Sequence, residues 1–350
     1  MSRRPLPDAY AQALGPAAVA RVRAATAGLP SAQAVAVALS AGADSAMLAL
    51  ALALAEPDRP VLAFHVHHGL QAQADAWAVR AGQLGALLGL PVRVAHVAVP
   101  VDGSGMEAAA RAARYAALAE MAGREGVSHV LLAHHRDDQA ETVLLRLLRG
   151  SGVDGMAAMR PASQRDGVVY LRPWLDLGRD AIRRAAAAFA DLTGWQAVDD
   201  PSNADPRYTR AAVRTALSPL LDARWPGWQA IVARHARQMG EAVEILHEVA
   251  REDFARLEPD ADGRGFGLAL WRALSPPRQA QVLRYWLAQA GLRMPSEARL
   301  ADLMRQLRQL HALGHDRQLS VAHEGHDIRC HRGRVWLQAQ HLPGREASGR

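Results

Sequence analysis

The 350-residue chain contains no lysine, so all 41 fixed side-chain cations are arginines; against 35 Asp and Glu they leave a formal charge of +6. A phosphate loop ending in Gly-Lys-Ser/Thr is therefore excluded. So is a Schiff-base lysine, and with it the usual pyridoxal-phosphate chemistry. Polyanions must be held by planar, bidentate guanidinium groups. Codon bias toward Arg and Ala produces the same composition, so the absence excludes chemistry without selecting any. The basic balance fits nucleic acid as a partner. Cys330 is the one cysteine. A disulfide framework, a CxxC redox pair and a cysteine zinc site within one chain are excluded, and a reducing compartment is expected. The longest apolar run, Ala46–Ala55, has ten residues, against the roughly 20 of a membrane helix. The N-terminus, MSRRPLPDAYAQALG, has two arginines with no apolar core behind them, interrupted at Asp8. It does not read as a signal peptide, and the expectation is a cytoplasmic protein with no membrane partner.

Half of the residues are hydrophobic, enough for real cores, and the length suggests about two domains at roughly 100–200 residues each. Short apolar runs at Ala34–Leu39, Val61–His67, Val92–Val97 and His129–Ala133 read as strands. Helical stretches follow each of them, at Ser45–Ala55, Gln71–Leu88, Met106–Arg124 and Asp138–Arg149. This alternation predicts an α/β fold with a doubly wound, mainly parallel sheet. Its ligands should lie beyond the carboxyl ends of the strands. After the turn Gly150–Gly155, Val168–Arg172 reads as a strand and Asp180–Leu192 as a helix. Asp199–Arg207 (DDPSNADPR) is a loop. A long helix is expected over Trp228–Arg256, helices at Arg278–Ala290 and Glu297–Leu310, and a hairpin of Asp327–His331 and Arg334–Gln338 about Gly333. The expected organisation is a catalytic domain over 1–222, a linker helix over 223–256, a smaller, mainly helical C-terminal domain over 257–342 and a tail over 343–350. No internal repeat is found.

The strongest chemical signal is Ser40-Ala41-Gly42-Ala43-Asp44-Ser45, between the first strand and the first helix. Small residues allow a ligand close approach, and the free amides of a helix start suit a phosphate. Asp44 can hold a Mg²⁺ that screens one. The plain alternative is a small-residue turn with Ser45 as its cap. His67-His68 and His134-His135 follow neighbouring strands and could converge, as a metal site or as structural groups; no spacing supports catalytic zinc. Asp138 can cap a helix, with Glu141 completing a capping box, while Asp137 can hold Mg²⁺ or meet an amine. Arg111 and Arg114 share a helix face; they can clamp a phosphate or pair with Glu107 in solvent. Arg207, Tyr208, Arg210 and Arg214 suit RNA phosphates and one stacking base, or an exposed helix start. In the C-terminal part, arginines interleave with Trp271, Tyr285, Trp286 and Trp336. Their helical spacing favours core over RNA contact.

Taken in order, SAGADS (40–45), HVHHGL (65–70), MEAAARAARY (106–115), HHRDDQAET (134–142), RGSG (149–152), RPWL (172–175) and DPSN (200–203) resemble the bacterial tRNA(Ile)-lysidine synthetases, in their short form, of the PP-loop ATP-pyrophosphatase superfamily. The resemblance covers about Val35–Leu337. It implies an adenine-nucleotide α-hydrolase-like fold and a carbon–nitrogen ligase that consumes ATP with Mg²⁺. The expected reaction adenylates the wobble cytidine of a CAU-anticodon isoleucine tRNA and then joins free L-lysine to it, forming lysidine and releasing AMP and pyrophosphate. The implied catalytic residues are Asp44, Arg111 and Asp137, with Mg²⁺ on Asp44 and Asp137. The implied nucleotide contacts are Ser40, Ala41, Gly42, Ala43, Asp44, Ser45 and His68; the tRNA contacts are Arg207, Tyr208, Arg210 and Arg214. Two positions depart from the family's pattern. Ala41 stands where the family has its first glycine, at a cost of about 1 kcal/mol if φ there is positive; Ala211 stands where it reads asparagine. Other readings are another PP-loop tRNA-modifying enzyme such as a thiolase, or a non-catalytic nucleotide- or RNA-binding homologue. Cytidine-type thiolases usually carry CxxC pairs, which one cysteine cannot supply. The oligomeric state, monomer or homodimer, is left open.

Overall fold

The computed structural model describes residues 4–69, 73–99, 106–200, 205, 209–310 and 318–340. The chain folds as two compact units, 1–240 and 241–350. The first begins with helices α1 (Asp8–Leu14) and α2 (Pro16–Thr26), which sequence patterning did not anticipate. Then come β1 (Val35–Ala38), α3 (Ala43–Ala55), β2 (Val61–His67), α4 (Ala74–Leu88), β3 (Val92–His96), α5 (Met106–Arg124), β4 (His129–Leu131), α6 (Arg136–Leu148) and α7 (Val153–Met156). The hairpin β5 (Ala162–Arg165) and β6 (Val168–Leu171) precedes α8 (Arg179–Thr193) and α9 (Thr209–Ala212). A π-helical turn (Val213–Leu217) joins α9 to α10 (Ser218–Arg224), and the long α11 (Trp228–Ala255) carries the chain into the second unit.

The expected doubly wound sheet is present, with strand order β3-β2-β1-β4-β6-β5. All neighbours are parallel except β5, which is antiparallel to β6 at the edge. Alternation along the inner strands β2, β1, β4 and β6 fills both faces. Val35, Val37, Leu131 and Leu171 join α1–α4 and α8 in one core. Ala36, Val130, Leu132 and Tyr170 join Tyr115, Leu118 and Met121 of α5 in another. Strands buried on both faces explain the near-continuous apolar runs.

The strand expected at Val168–Arg172 is β6, but it is the second strand of a hairpin that sequence patterning did not anticipate. Asp166-Gly167 forms the hairpin's turn with φ of 51° and 77°. Both central residues then occupy the left-handed region that a type I′ turn requires.

In the second unit, β7 (Gly265–Gly267), α12 (Leu268–Ala273), α13 (Pro276–Gln289), α14 (Glu297–Gln309), β8 (Leu319–His323), β9 (His326–His331) and β10 (Arg334–Ala339) follow α11. The expected hairpin is β9–β10, and β7 and β8 extend it to an antiparallel sheet of order β7-β10-β9-β8. Trp271 and Trp286 are fully buried with Phe266, Leu283 and Val335. These aromatics are core, as their spacing favours. No helix among the described residues is long and apolar enough to cross a membrane.

Gly85 marks the tightest packing of α4 on the sheet. A Cβ there would stand 2.8 Å from the Leu90 carbonyl oxygen and overlap the Val92 side chain. Backbone cannot yield as a side-chain tip can, so Gly85→Ala should lower the unfolding free energy by about 1–3 kcal/mol, measured by denaturant titration. An unchanged midpoint would mean that β3 shifts freely.

Candidate active site

The phosphate-type turn after β1 has the form its small residues imply. Ala41 is fully buried at φ 64°, so the position the sequence marks as suspect does occupy the left-handed region. Gly42, by contrast, is extended and caps α3; Ser45 is not the cap. The Ser45 hydroxyl instead donates to the Gly42 carbonyl at 3.1 Å, accepts from the Ser40 amide at 3.1 Å and lies 3.0 Å from Ser40 Oγ. The turn is also tied to Val198, whose amide donates to the Ala41 carbonyl at 2.9 Å. Asp44 sits on the first turn of α3 with its side chain 37% exposed.

The turn after β4 brings the remaining acids to Asp44. His135 is the N-cap of α6, accepting from the Asp138 amide at Nδ1 (3.3 Å) while Asp138 Oδ2 accepts from the His135 amide (3.1 Å). This corrects the expected box: Asp138 is its third helical residue, not its cap, and Glu141 takes no part. The lone pair used at Nδ1 leaves Nε2 to carry the ring proton. Nε2 lies 3.6 Å from Asp44 and 3.4 Å from Asp138; Nδ1 lies 3.8 Å from Asp137. Burial pushes the imidazole down, but Asp44, Asp138 and Asp137 together raise its pKa above the ordinary histidine value. Burial likewise pushes Asp44 up, and His135, Arg179 and Arg183 more than offset it, holding the carboxyl below its usual range. Asp137 Oδ2 accepts from the first amide of α8, Arg179 N, at 3.0 Å. Among the described residues no group of three or more His, Cys, Asp and Glu side chains is spaced to hold a metal ion by itself.

Glu141 is the counter-ion of a neighbouring network. Its side chain is 5% exposed and takes Arg214 in two hydrogen bonds (2.8 and 2.9 Å) and Arg210 Nε at 3.1 Å. Arg210 also donates to Thr142 Oγ1 at 2.9 Å. The two arginines are four residues apart on α9 and the π-helical turn. Arg207 and Tyr208 lie outside the described residues, as does the Glu107 side chain.

His134 faces the other way. Its neighbours in charge are Arg172, Arg114, Arg111 and Arg210, and burial with these cations holds its pKa well below the histidine value. Adjacent residues in an extended chain project oppositely, so β4 ends on a divide: carboxylates on the His135 side, guanidiniums on the His134 side. Arg111 and Arg114 are exposed on α5. Arg111 Nη2 donates to Tyr115 Oη at 3.2 Å. His68, just past β2, is half-buried with its ring 6.4 Å from Trp77; burial lowers its pKa and Asp200 acts in the opposite sense. His65 and His67 are structural: His65 Nδ1 donates to the Leu39 carbonyl at 2.8 Å and His67 Nε2 to Asp75 at 2.9 Å.

Sequence reading did not single out Arg179 or Arg183, both of which act on Asp44. One signal was available: Arg179 opens α8, and a cation at the positive end of a helix dipole is unfavourable, so it points to a need other than helix stability.

Comparison with known proteins matches residues 17–221 to the PP-loop domain family and residues 267–336 to the TilS substrate binding domain. The chain is 68% identical over 275 residues to the tRNA(Ile)-lysidine synthase of Bordetella parapertussis, covering 78% of this chain and 80% of that one. It is 46% identical over 285 residues to that of Ralstonia nicotianae, covering 81% of this chain and 59% of that one. Among solved structures, the U34-tRNA thiolase NcsA from Methanococcus maripaludis with its [4Fe-4S] cluster aligns with a TM-score of 0.52 at 17% identity, over 64% of this chain and 78% of that one; it shares the fold.

Removing Glu141 leaves two guanidiniums without their acceptor. Because both are partly solvated, Glu141→Ala should cost about 3 kcal/mol, the low end for a broken buried pair, in denaturant unfolding; a loss below about 1 kcal/mol would show the network to be replaceable by water. At Ala41, glycine relieves φ but loses a buried methyl, so Ala41→Gly should shift stability by less than about 1 kcal/mol. The β-branched Ala41→Val should cost well over that, since such a residue is a genuine outlier at positive φ.

Proposed function

The chain belongs to the tRNA(Ile)-lysidine synthase family of PP-loop carbon–nitrogen ligases, and on that premise we propose that it uses ATP to join free L-lysine to the wobble cytidine of a CAU-anticodon isoleucine tRNA. The observation that carries this reading is the meeting of Asp44, on the Ser40–Ser45 turn, with the carboxylates about His135, across β4 from a wall of arginines. One side suits cations and the other suits phosphates.

In this reading the ATP phosphates lie on the Ser40–Ser45 turn, with Ala41, Gly42 and Ala43 giving close approach and the first-turn amides of α3 facing them. His68 contacts the nucleotide. The C2 oxygen of the cytidine attacks the α-phosphate and pyrophosphate leaves. The lysine ε-amine then attacks carbon 2, its proton departs, and AMP leaves with the C2 oxygen. Arg111 balances charge that grows on the α-phosphate oxygens. The carboxylates around His135 hold the approaching amine, and His135 keeps its proton on Nε2 toward Asp44 and Asp138. Asp44 and Asp137 are the carboxylates that would hold Mg²⁺, which would screen the pyrophosphate charge when bound. Arg207 and Tyr208 contact the tRNA. Arg210 and Arg214, anchored on Glu141, keep 28% and 21% of their side chains exposed toward it.

Thiolase chemistry with an iron–sulfur cluster is disfavoured by the cysteine inventory. Cys330 is the chain's one cysteine, buried in the second unit with its thiol pushed up by that burial, whereas a cluster needs several thiolates.

Labelled lysine should enter CAU-anticodon isoleucine tRNA in the presence of ATP and Mg²⁺, and should not enter elongator methionine tRNA. Pyrophosphate release without lysine incorporation would keep the adenylation and refute lysine as nucleophile. Asp44→Asn should lower the adenylation rate by about 10²-fold or more with an unchanged circular-dichroism spectrum. Full turnover in a folded Asp44→Asn protein would remove Asp44 from the chemistry.

A further inference from the structure

The arginine side of the crevice carries more charge than one clamp on the α-phosphate uses. Arg111, Arg114 and Arg165 surround a single buried ring, Tyr115, with guanidinium carbons 5.0, 5.8 and 4.8 Å from its centroid. Two of these come from α5 and the third from the edge strand β5, so the gathering is tertiary, not local. Tyr115 is fixed from behind by an edge-to-face contact with Tyr170 at 4.9 Å.

Stacking on one ring does not cancel the mutual repulsion of three full charges. Arg165 has one acid, Asp166, at 3.1 Å in an exposed turn. Among the described residues, the charged and ionisable groups that act on Arg111 and Arg114 are Tyr115 and other arginines. A second observation is independent of charge counting. His134 Nδ1 and Arg172 Nε are buried and, among the described residues, make no hydrogen bond, and both side chains lie in this cluster. Buried polar atoms are nearly always paired, and these two stand without a protein partner among the described residues, inside the arginine cluster.

We propose that Arg114 and Arg165, set on Tyr115, bind a backbone phosphodiester of the RNA strand, beside Arg111 and apart from the phosphate turn at Ser40–Ser45. This rests on the RNA-substrate reading above. The anion could come from the nucleotide or from RNA, and two facts favour RNA. The groups acting on Asp44 are His135, Arg179 and Arg183, none of which acts on Arg111 or Arg114. Arg165 stands on the edge strand with 47% of its side chain exposed, where a polymer can reach it. Arg also suits the site because its planar fork can stack on a ring and grip a phosphate together.

The test is equilibrium binding of the CAU-anticodon tRNA transcript to the full chain, by fluorescence anisotropy between about 50 and 200 mM salt. The variants are Arg114→Gln, Arg165→Gln and the double substitution. Arg93→Gln is the control: Arg93 lies on β3, at the opposite edge of the sheet, paired with Glu125 at its own surface. The double variant should bind at least about tenfold more weakly, with the slope of log affinity against log salt reduced by about one, as for one lost phosphate contact. Arg93→Gln should keep the wild-type slope. An unchanged slope in the double variant overturns the site, as does a wild-type chain that binds no RNA. Loss of ATP affinity with RNA affinity intact assigns the cluster to the nucleotide instead. Arg165→Gln, on an exposed strand end, carries the test if Arg114→Gln fails to fold. If the wild type incorporates lysine while the variants bind normally, only this inference fails; if it binds RNA with the expected slope yet ligates no lysine, only the lysidine reading fails.

Discussion

The reversal of strand order about β1 is the constraint on which the site depends. From β1 the chain moves outward through β2 and β3, then returns to lay β4 on the other side of β1. The connections leave in opposite directions, which opens a gap between the carboxyl ends of β1 and β4. The turn after β1 holds Asp44 and the turn after β4 holds His135, and adjacency of their strands brings the two within 3.6 Å. Isolated bridges tie both turns beyond the strands, Gly42 pairing with Val198 and His135 with Trp174. Both turns are therefore held by backbone as well as by side chains.

The same geometry divides charge. Asp44, Asp137 and Asp138 lie on the first turns of α3 and α6, where the helix dipole favours carboxylates. That preference helps keep three acids close together about one imidazole. Arg136 and Arg179 open α6 and α8 against the same dipole. Their cost is a few tenths of a kcal/mol each, and for Arg179 it is small beside the loss of a cation acting on Asp44. Glu141, one turn further into α6, compensates Arg210 and Arg214 and pins the π-helical turn to the sheet domain. A π-helical turn widens the backbone where an α-helix would not, and here it carries Arg214 into a two-pronged bond with Glu141.

What was legible in the sequence was local. Strand–helix alternation is written in apolar runs, and the Ser40–Ser45 turn in residue size. Even the doubtful φ at Ala41 could be posed as a condition, and the structure meets it at 64°. The β5–β6 hairpin was also written locally, in Asp166-Gly167, but β5 reads ASQR and is exposed, so no apolar alternation drew attention to it. Pairings between distant residues were not legible. Glu141 lies 73 residues from Arg214, and spacing alone presented the arginine as a free cation beside a loop. Arg165 drew no attention in the sequence, because its partner, Tyr115, is on another element. The capping of α6 failed by register: a histidine took the cap, and the expected Asp138 became the reciprocal acceptor.

The absence of lysine bears on both sides of the divide. On the cationic side every charge is a guanidinium, which can stack on Tyr115 and still present N–H groups to a phosphate. An ammonium is a compact, strongly hydrated point charge and would not pack on an aromatic ring with the same orientation. On the acidic side the cations acting on Asp44 are Arg179 and Arg183 together with His135. A guanidinium is broad and planar, and it does not fill the small volume between carboxylates that an ammonium can enter. The chain has no lysine of its own, so in the proposed reading an incoming primary amine meets no side-chain amine as a competitor among the carboxylates.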